Sequence, residues 1–65
     1  MKLVVNGEVR HVAAADLAAA LAALDYAQAS VATALNGEFV PKRKRAETAV
    51  KDGDRIEVVA PRQGG

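Results

Sequence analysis

The chain has no cysteine and no tryptophan, and only one histidine, one phenylalanine and one tyrosine. Without cysteine there are no disulfide staples, thiolate metal sites or thiol nucleophiles, and the lack suits a reducing compartment such as the cytoplasm. The lone His11 has no second histidine at ligand spacing, so it reads as a surface strand residue rather than a zinc ligand. No apolar run approaches the roughly 18 residues that a membrane-spanning helix needs. The opening MKLVVNGE turns polar after Val5, too early for the apolar core of a secretion signal. Charge of one sign is also missing. Nine Lys and Arg against eight Asp and Glu leave +1, with no strong pull toward nucleic acid or anionic membrane.

Catalytic sets are absent too. No Ser-His-Asp group, phosphate-cradling glycine loop or pair of catalytic acids assembles, and 65 residues offer little concave surface for a substrate. Asp52, Asp54 and Glu57 lie close in sequence, but a calcium loop needs a longer alternating set of oxygen ligands. Asp-Gly-Asp reads as a turn. The chain is expected to be no enzyme, with no catalytic residue, no metal and no bound cofactor of its own.

What is present suffices for one small domain. A chain of this size buries only about 60% of its unfolded surface. Its 51% apolar content includes fifteen alanines, leaving enough Val and Leu for one helix on one sheet. Leu3-Val4-Val5, Asn6-Gly7 and the run through Val9 and Val12 predict a β-hairpin, since Asn-Gly accepts the two positive φ angles of a type I′ turn. A strict two-residue turn sets Val5 opposite Glu8, whereas a bulge near Gly7 restores the apolar alternation. Both registers stay open at this point. Leu17, Leu21 and Leu24, with Ala20, make the stripe of an amphipathic helix capped by Asp16. Asp25 to Ser30 reads as loop. Val31 to Leu35 and Glu38 to Val40 flank a second Asn-Gly turn, Pro41 ends that strand or marks an edge, and Lys42 to Thr48 is irregular with room for one helical turn. Ala49-Val50 can pair briefly, Lys51 to Asp54 is a turn around Gly53, and Arg55 to Ala60 forms the last strand.

Hairpin, helix, then two or three strands predicts an α+β domain. The best match is the β-grasp arrangement: a mixed four- to five-stranded sheet with one main helix over residues 1–60, and a flexible C-terminal tail over 61–65. An SH3-like barrel has no place for the helix, and a ferredoxin-like half lacks its second one.

Two stretches remain. Lys42-Arg43-Lys44-Arg45 is flanked by acids and has no aromatic beside it for stacking on bases, so it reads as a solvated face, with docking to an acidic protein as an alternative. Arg62-Gln63-Gly64-Gly65 carries no apolar side chain. A terminal carboxylate can be activated as an acyl-adenylate, and glycine, lacking Cβ, lets a partner's backbone approach closely.

With Asn6-Gly7-Glu8, Asp16-Leu17, Asn36-Gly37-Glu38-Phe39-Val40-Pro41, Asp52 to Val59 and Gly64-Gly65 in this order and spacing, the chain resembles the sulfur carrier proteins of thiamine biosynthesis (the ThiS type), which are ubiquitin-like β-grasp proteins. The likeness implies that the Gly65 carboxylate is adenylated by an E1-like adenylyltransferase using ATP and becomes a thiocarboxylate. A sulfur donor such as a cysteine desulfurase supplies the sulfur, and thiazole synthase takes it. It further implies that Gly64 and Gln63 give the tail access to the partner's active site and that Val59 lies in the partner-binding patch. Lys42 to Arg45 departs from the family, which is usually less basic there. The rivals are the related carrier of molybdopterin synthesis, a carrier for another sulfur pathway, and a plain ubiquitin-like binding module.

Overall fold

The structure is a computed structural model and describes residues 1–26 and 30–60. The proposed tail, 61–65, lies outside the described residues. Strands β1 (Lys2–Val5), β2 (Glu8–His11), β3 (Ala32–Leu35), β4 (Glu38–Val40) and β5 (Arg55–Val59) form one sheet, with helix α1 (Leu17–Ala23) between β2 and β3. The strand order is β2-β1-β5-β3-β4. The central β1–β5 pair is parallel and every other pair is antiparallel, which is the mixed five-stranded β-grasp sheet.

Both Asn-Gly turns take the expected form, with φ of +51° at Asn6 and Asn36 and of +84° and +88° at Gly7 and Gly37. The first hairpin has no bulge: Val4 faces Val9 and Val5 faces Glu8. Glu8 and Arg10 therefore share the helix-side face with Leu3 and Val5. That is tolerated because β2 is an edge strand whose four residues are all exposed, so the wrong-face cost of register is small there.

Helix α1 is fixed at both ends. The Asp16 carboxylate accepts the N–H of Ala19 at 2.8 Å, and the Leu17 N–H reaches the Thr48 carbonyl at 2.8 Å, so two of the four orphan donors are satisfied. At the other end the N–H groups of Asp25 and Tyr26 bond the carbonyls of Ala22 and Leu21 at 3.1 and 2.7 Å. This is a Schellman motif with Asp25, at φ +69°, where glycine is usual. Asp25→Gly should therefore raise stability by about 0.5–1 kcal/mol, relief of the left-handed strain outweighing the added chain entropy. A denaturant midpoint that does not rise would show that Asp25 bears no strain.

Leu17, Ala20, Leu21 and Leu24 pack on Leu3, Val5, Val40, Val50, Ile56 and Val58 in a single core. Residues Lys42–Glu47 form a 3-10 turn, and Ala49 makes a brief bridge to Asp16. The basic run is not a uniform solvated face. Arg45 is buried, donating from Nε to the Thr33 hydroxyl at 3.1 Å and from Nη2 to the Val31 carbonyl at 2.6 Å. The Thr33 hydroxyl in turn donates to the Val40 carbonyl at 3.0 Å. A buried guanidinium is held by fixed acceptors because an unpaired one would carry a large desolvation cost. Only Lys42, Arg43 and Lys44 are left to solvent.

Candidate functional site

Strand alternation gives the sheet two unlike faces. Ile56 and Val58 of β5 turn toward α1, while Arg55, Glu57 and Val59 turn away. On the uncovered face Val59 stands opposite Ala32, Ala34 lies between Glu57 and Phe39, and Val4 lies between Arg55 and Val9. Phe39 is 69% exposed and Val59 62%. A shallow groove of about 660 Å³ runs across these strands, its floor including Ala32, Ala34, Phe39, Val59 and the charged Arg55 and Glu57. Phe39 stands in water on the edge strand β4, in the same cross-strand row as Ala34 and Glu57. With Val59 it makes this face a candidate contact surface, and aromatics are enriched where proteins meet.

The strand beneath this surface is anchored at its start. Asp54 is buried, and its carboxylate accepts the Lys51 N–H at 2.9 Å and the Asn36 side-chain amide at 3.1 Å, with the Lys51 ammonium at 3.9 Å. The Lys51 N–H is the main cause that holds the Asp54 carboxyl below its ordinary 3.8, against the opposing effect of burial, with Asn36 and the Lys51 charge adding to it. Because the folded value is depressed, this stabilisation is full above the ordinary value. It is lost as pH falls through the folded one. Stability should thus decline as pH falls below 3.8, and Asp54→Asn should flatten that decline. Equal acid slopes for the two proteins in chemical denaturation would remove Asp54 as its source. Asp52 has a similar turn-holding task, accepting the Lys2 N–H at 2.6 Å. Among the described residues no three metal-ligating side chains gather.

Of the residues singled out in the sequence, Val59 is on the open face, and His11 is exposed on the edge strand β2. Gln63, Gly64 and Gly65 lie outside the described residues. From sequence alone Phe39 is a strand residue within a family motif, with no role attached to it. The signal for it was alternation: in Glu38-Phe39-Val40 the two apolar neighbours must face opposite ways, and Val40 is the one in the core.

A model of the ThiS family matches residues 3–65. The chain belongs to the ThiS family. The crystal structure of the thiamine biosynthesis protein ThiS from Geobacter metallireducens is similar to it at a TM-score of 0.82 and 39% identity, over 100% of both chains. A solution structure of a thiamine biosynthesis protein from the same organism gives 0.78 and 38%, over 100% of this chain and 88% of that one. A thiazole synthase of Paramagnetospirillum magneticum is 46% identical over 66 residues, taking in 100% of this chain and 20% of that protein. The chain thus spans about a fifth of the length of the curated relative it matches. Within the ThiS fold, the exposed apolar face includes Val59, the last residue of β5.

Proposed function

We propose that the chain is a sulfur carrier in thiamine (thiazole) biosynthesis, with Gly65 as the residue that carries sulfur. The observation behind this reading is the exposed Phe39–Val59 face in a ThiS-family chain whose last strand leads to Gly64-Gly65. Residues 1–60 act as the docking body and 61–65 as the reactive tail. In the active site of an E1-like adenylyltransferase, a Gly65 carboxylate oxygen attacks the α-phosphorus of ATP and pyrophosphate leaves. The outer sulfur of a persulfide, formed on a desulfurase from cysteine, then attacks the acyl carbon of the mixed anhydride, and AMP departs with the carboxylate oxygen. One C–S bond has replaced one C–O bond, and a thiol reductant then cleaves the S–S bond of the resulting acyl disulfide to free the thiocarboxylate.

The activation splits a difficult substitution at a carboxylate into two easier displacements. Gly64 and Gln63 thread the partner's channel, Gly64 because no Cβ obstructs it. Val59, with Phe39, belongs to the patch that holds partners. Thiazole synthase is the acceptor in this reading, supported by a relative of that name that carries a segment 46% identical to this chain. The carrier contributes no catalytic group and binds no cofactor, and ATP is consumed in the partner. It works in the cytoplasm, and neither nucleic acid nor membrane takes part. Among the described residues no helix is long and apolar enough to cross a membrane.

Mass spectrometry of the chain purified from its host tests this. A fraction heavier by the difference between one sulfur and one oxygen atom, located on Gly65 by fragmentation, is expected. A chain that is never heavier, even when coexpressed with its adenylating enzyme and desulfurase, would point to an inert binding module. Conversion of precursor to molybdopterin rather than thiazole would assign it to the rival carrier route.

A further inference from the structure

Asn6 and Asn36 occupy equivalent places in the two hairpin turns, and both direct their side chains at β5. Asn36 grips its start: Oδ1 accepts the Arg55 N–H at 2.9 Å and Nδ2 donates to the Asp54 carboxylate at 3.1 Å. Asn6 grips its end. Its Oδ1 accepts the Val58 N–H at 2.8 Å, and its Nδ2 donates to the Val58 carbonyl at 3.1 Å. The reason lies in the topology. β1 runs parallel to β5 only as far as Val5 opposite Ile56, and the last backbone bond is from the Asn6 N–H to the Ile56 carbonyl at 2.9 Å. There the chain turns away into β2. The side-chain amide of Asn6 then offers one acceptor and one donor to Val58, as the next peptide unit of a longer β1 would.

On the other side of β5, Ala32 pairs with Val59. The final two residues of the strand are thus held by backbone on one side and by a single side chain on the other. Those residues matter because Val59 is on the docking face and Val58-Val59 are where the segment toward Gly65 begins. Turn formation alone does not require this contact: glycine also accepts positive φ at the first turn position, at no Cβ cost.

We propose that Asn6 is a positioning residue for the carrier reaction. It holds Val58 in the sheet, so that the docked face and the origin of the reactive tail keep a fixed relation. This role rests on the sulfur-carrier reading. When the amide is removed, the end of β5 loosens and must be re-ordered each time the carrier docks. Tethering the reactive end from a fixed origin also keeps its effective concentration in the partner's site high.

The test compares Asn6→Gly with Asn36→Gly. Each variant keeps a positive-φ turn and loses one side-chain grip on β5, at opposite ends. With the cognate E1-like adenylating enzyme, ATP and labelled pyrophosphate, Asn6→Gly should raise KM for the carrier about tenfold, the effect of re-ordering about one loosened backbone residue. Asn36→Gly should stay within about twofold of the original chain when both are assayed fully folded, as expected where no docking contact changes. Amide hydrogen exchange at Val58 should quicken in Asn6→Gly and not in Asn36→Gly. If Asn6→Gly folds poorly, Asn6→Asp keeps the turn and the acceptor but loses the donor, and its KM is then read in the same way. Equal KM values for the two glycine variants, or unchanged exchange at Val58, would overturn the proposal. Exchange that quickens as expected while the unaltered chain never supports pyrophosphate exchange would instead remove the carrier reading, and with it the reaction that Asn6 positions.

Discussion

Deleting Gly64-Gly65 is expected to abolish ATP–pyrophosphate exchange with the activating enzyme while leaving the fold intact. Among the described residues the buried cluster runs from Leu3 to Val58, and Gly64-Gly65 have no side chain to bury. Changes outside a core stay within about ±0.5 kcal/mol, which for a domain of this size moves Tm by about 2–4 °C at most. Activity has no such tolerance. An acyl-adenylate forms only where a carboxylate oxygen meets the α-phosphorus, and a misplacement of about 1 Å can already cost about a hundredfold. One residue added after Gly65 moves the carboxylate by about 3.3–3.6 Å along an extended chain. That variant should be as inactive as the deletion. Gly64→Val should fail for a different reason, since its branched Cβ blocks the channel while the carboxylate stays at the right distance. A lengthened chain that still accepts AMP and sulfur would show that Gly65 is not the site.

Local chemistry explains which parts of this structure were legible beforehand. Asp16 as cap, the Leu17-Leu21-Leu24 stripe and the two Asn-Gly turns each announce themselves within a few residues, because capping, periodicity and positive φ are short-range requirements. What stayed hidden depends on partners far along the chain. Arg45 resembled its three cationic neighbours until β3 brought Thr33 and the Val31 carbonyl to it. The side chains of Asn6 and Asn36 looked like turn formers alone, yet each bonds a strand that begins 49 and 19 residues further on, at Arg55. The first hairpin stayed open between two registers because an exposed edge strand penalises neither strongly. Asp25 was missed as a helix terminator for lack of glycine, the usual sign of a left-handed cap. The candidate site divides in the same way. Val59 and the diglycine were visible as motif positions, whereas Phe39 gained meaning only once Val40 was seen to fill the core.

The two faces of the sheet should also separate under mutation, and Leu21→Ala is expected to have the larger effect on stability. Leu21 is 3% exposed on the helix side of the sheet, so truncation opens a cavity and should cost about 2–5 kcal/mol. A domain of this size has roughly 3–10 kcal/mol in total, which makes the variant marginal and lowers its Tm by about 10 °C or more. Phe39→Ser changes the opposite face. Phe39 is 69% exposed, its loss opens no cavity, and its β-propensity term is at most about 1 kcal/mol. The serine variant should unfold near the midpoint of the original chain but bind its activating enzyme about tenfold more weakly, the ordinary cost of removing an aromatic anchor from an interface. Chemical denaturation of both variants and KM for the carrier give the four values needed. If Leu21→Ala costs less than about 0.5 kcal/mol, the helix stripe is not the core. If Phe39→Ser instead collapses the fold with no change in KM per folded molecule, the open face is structural and docking must occur elsewhere.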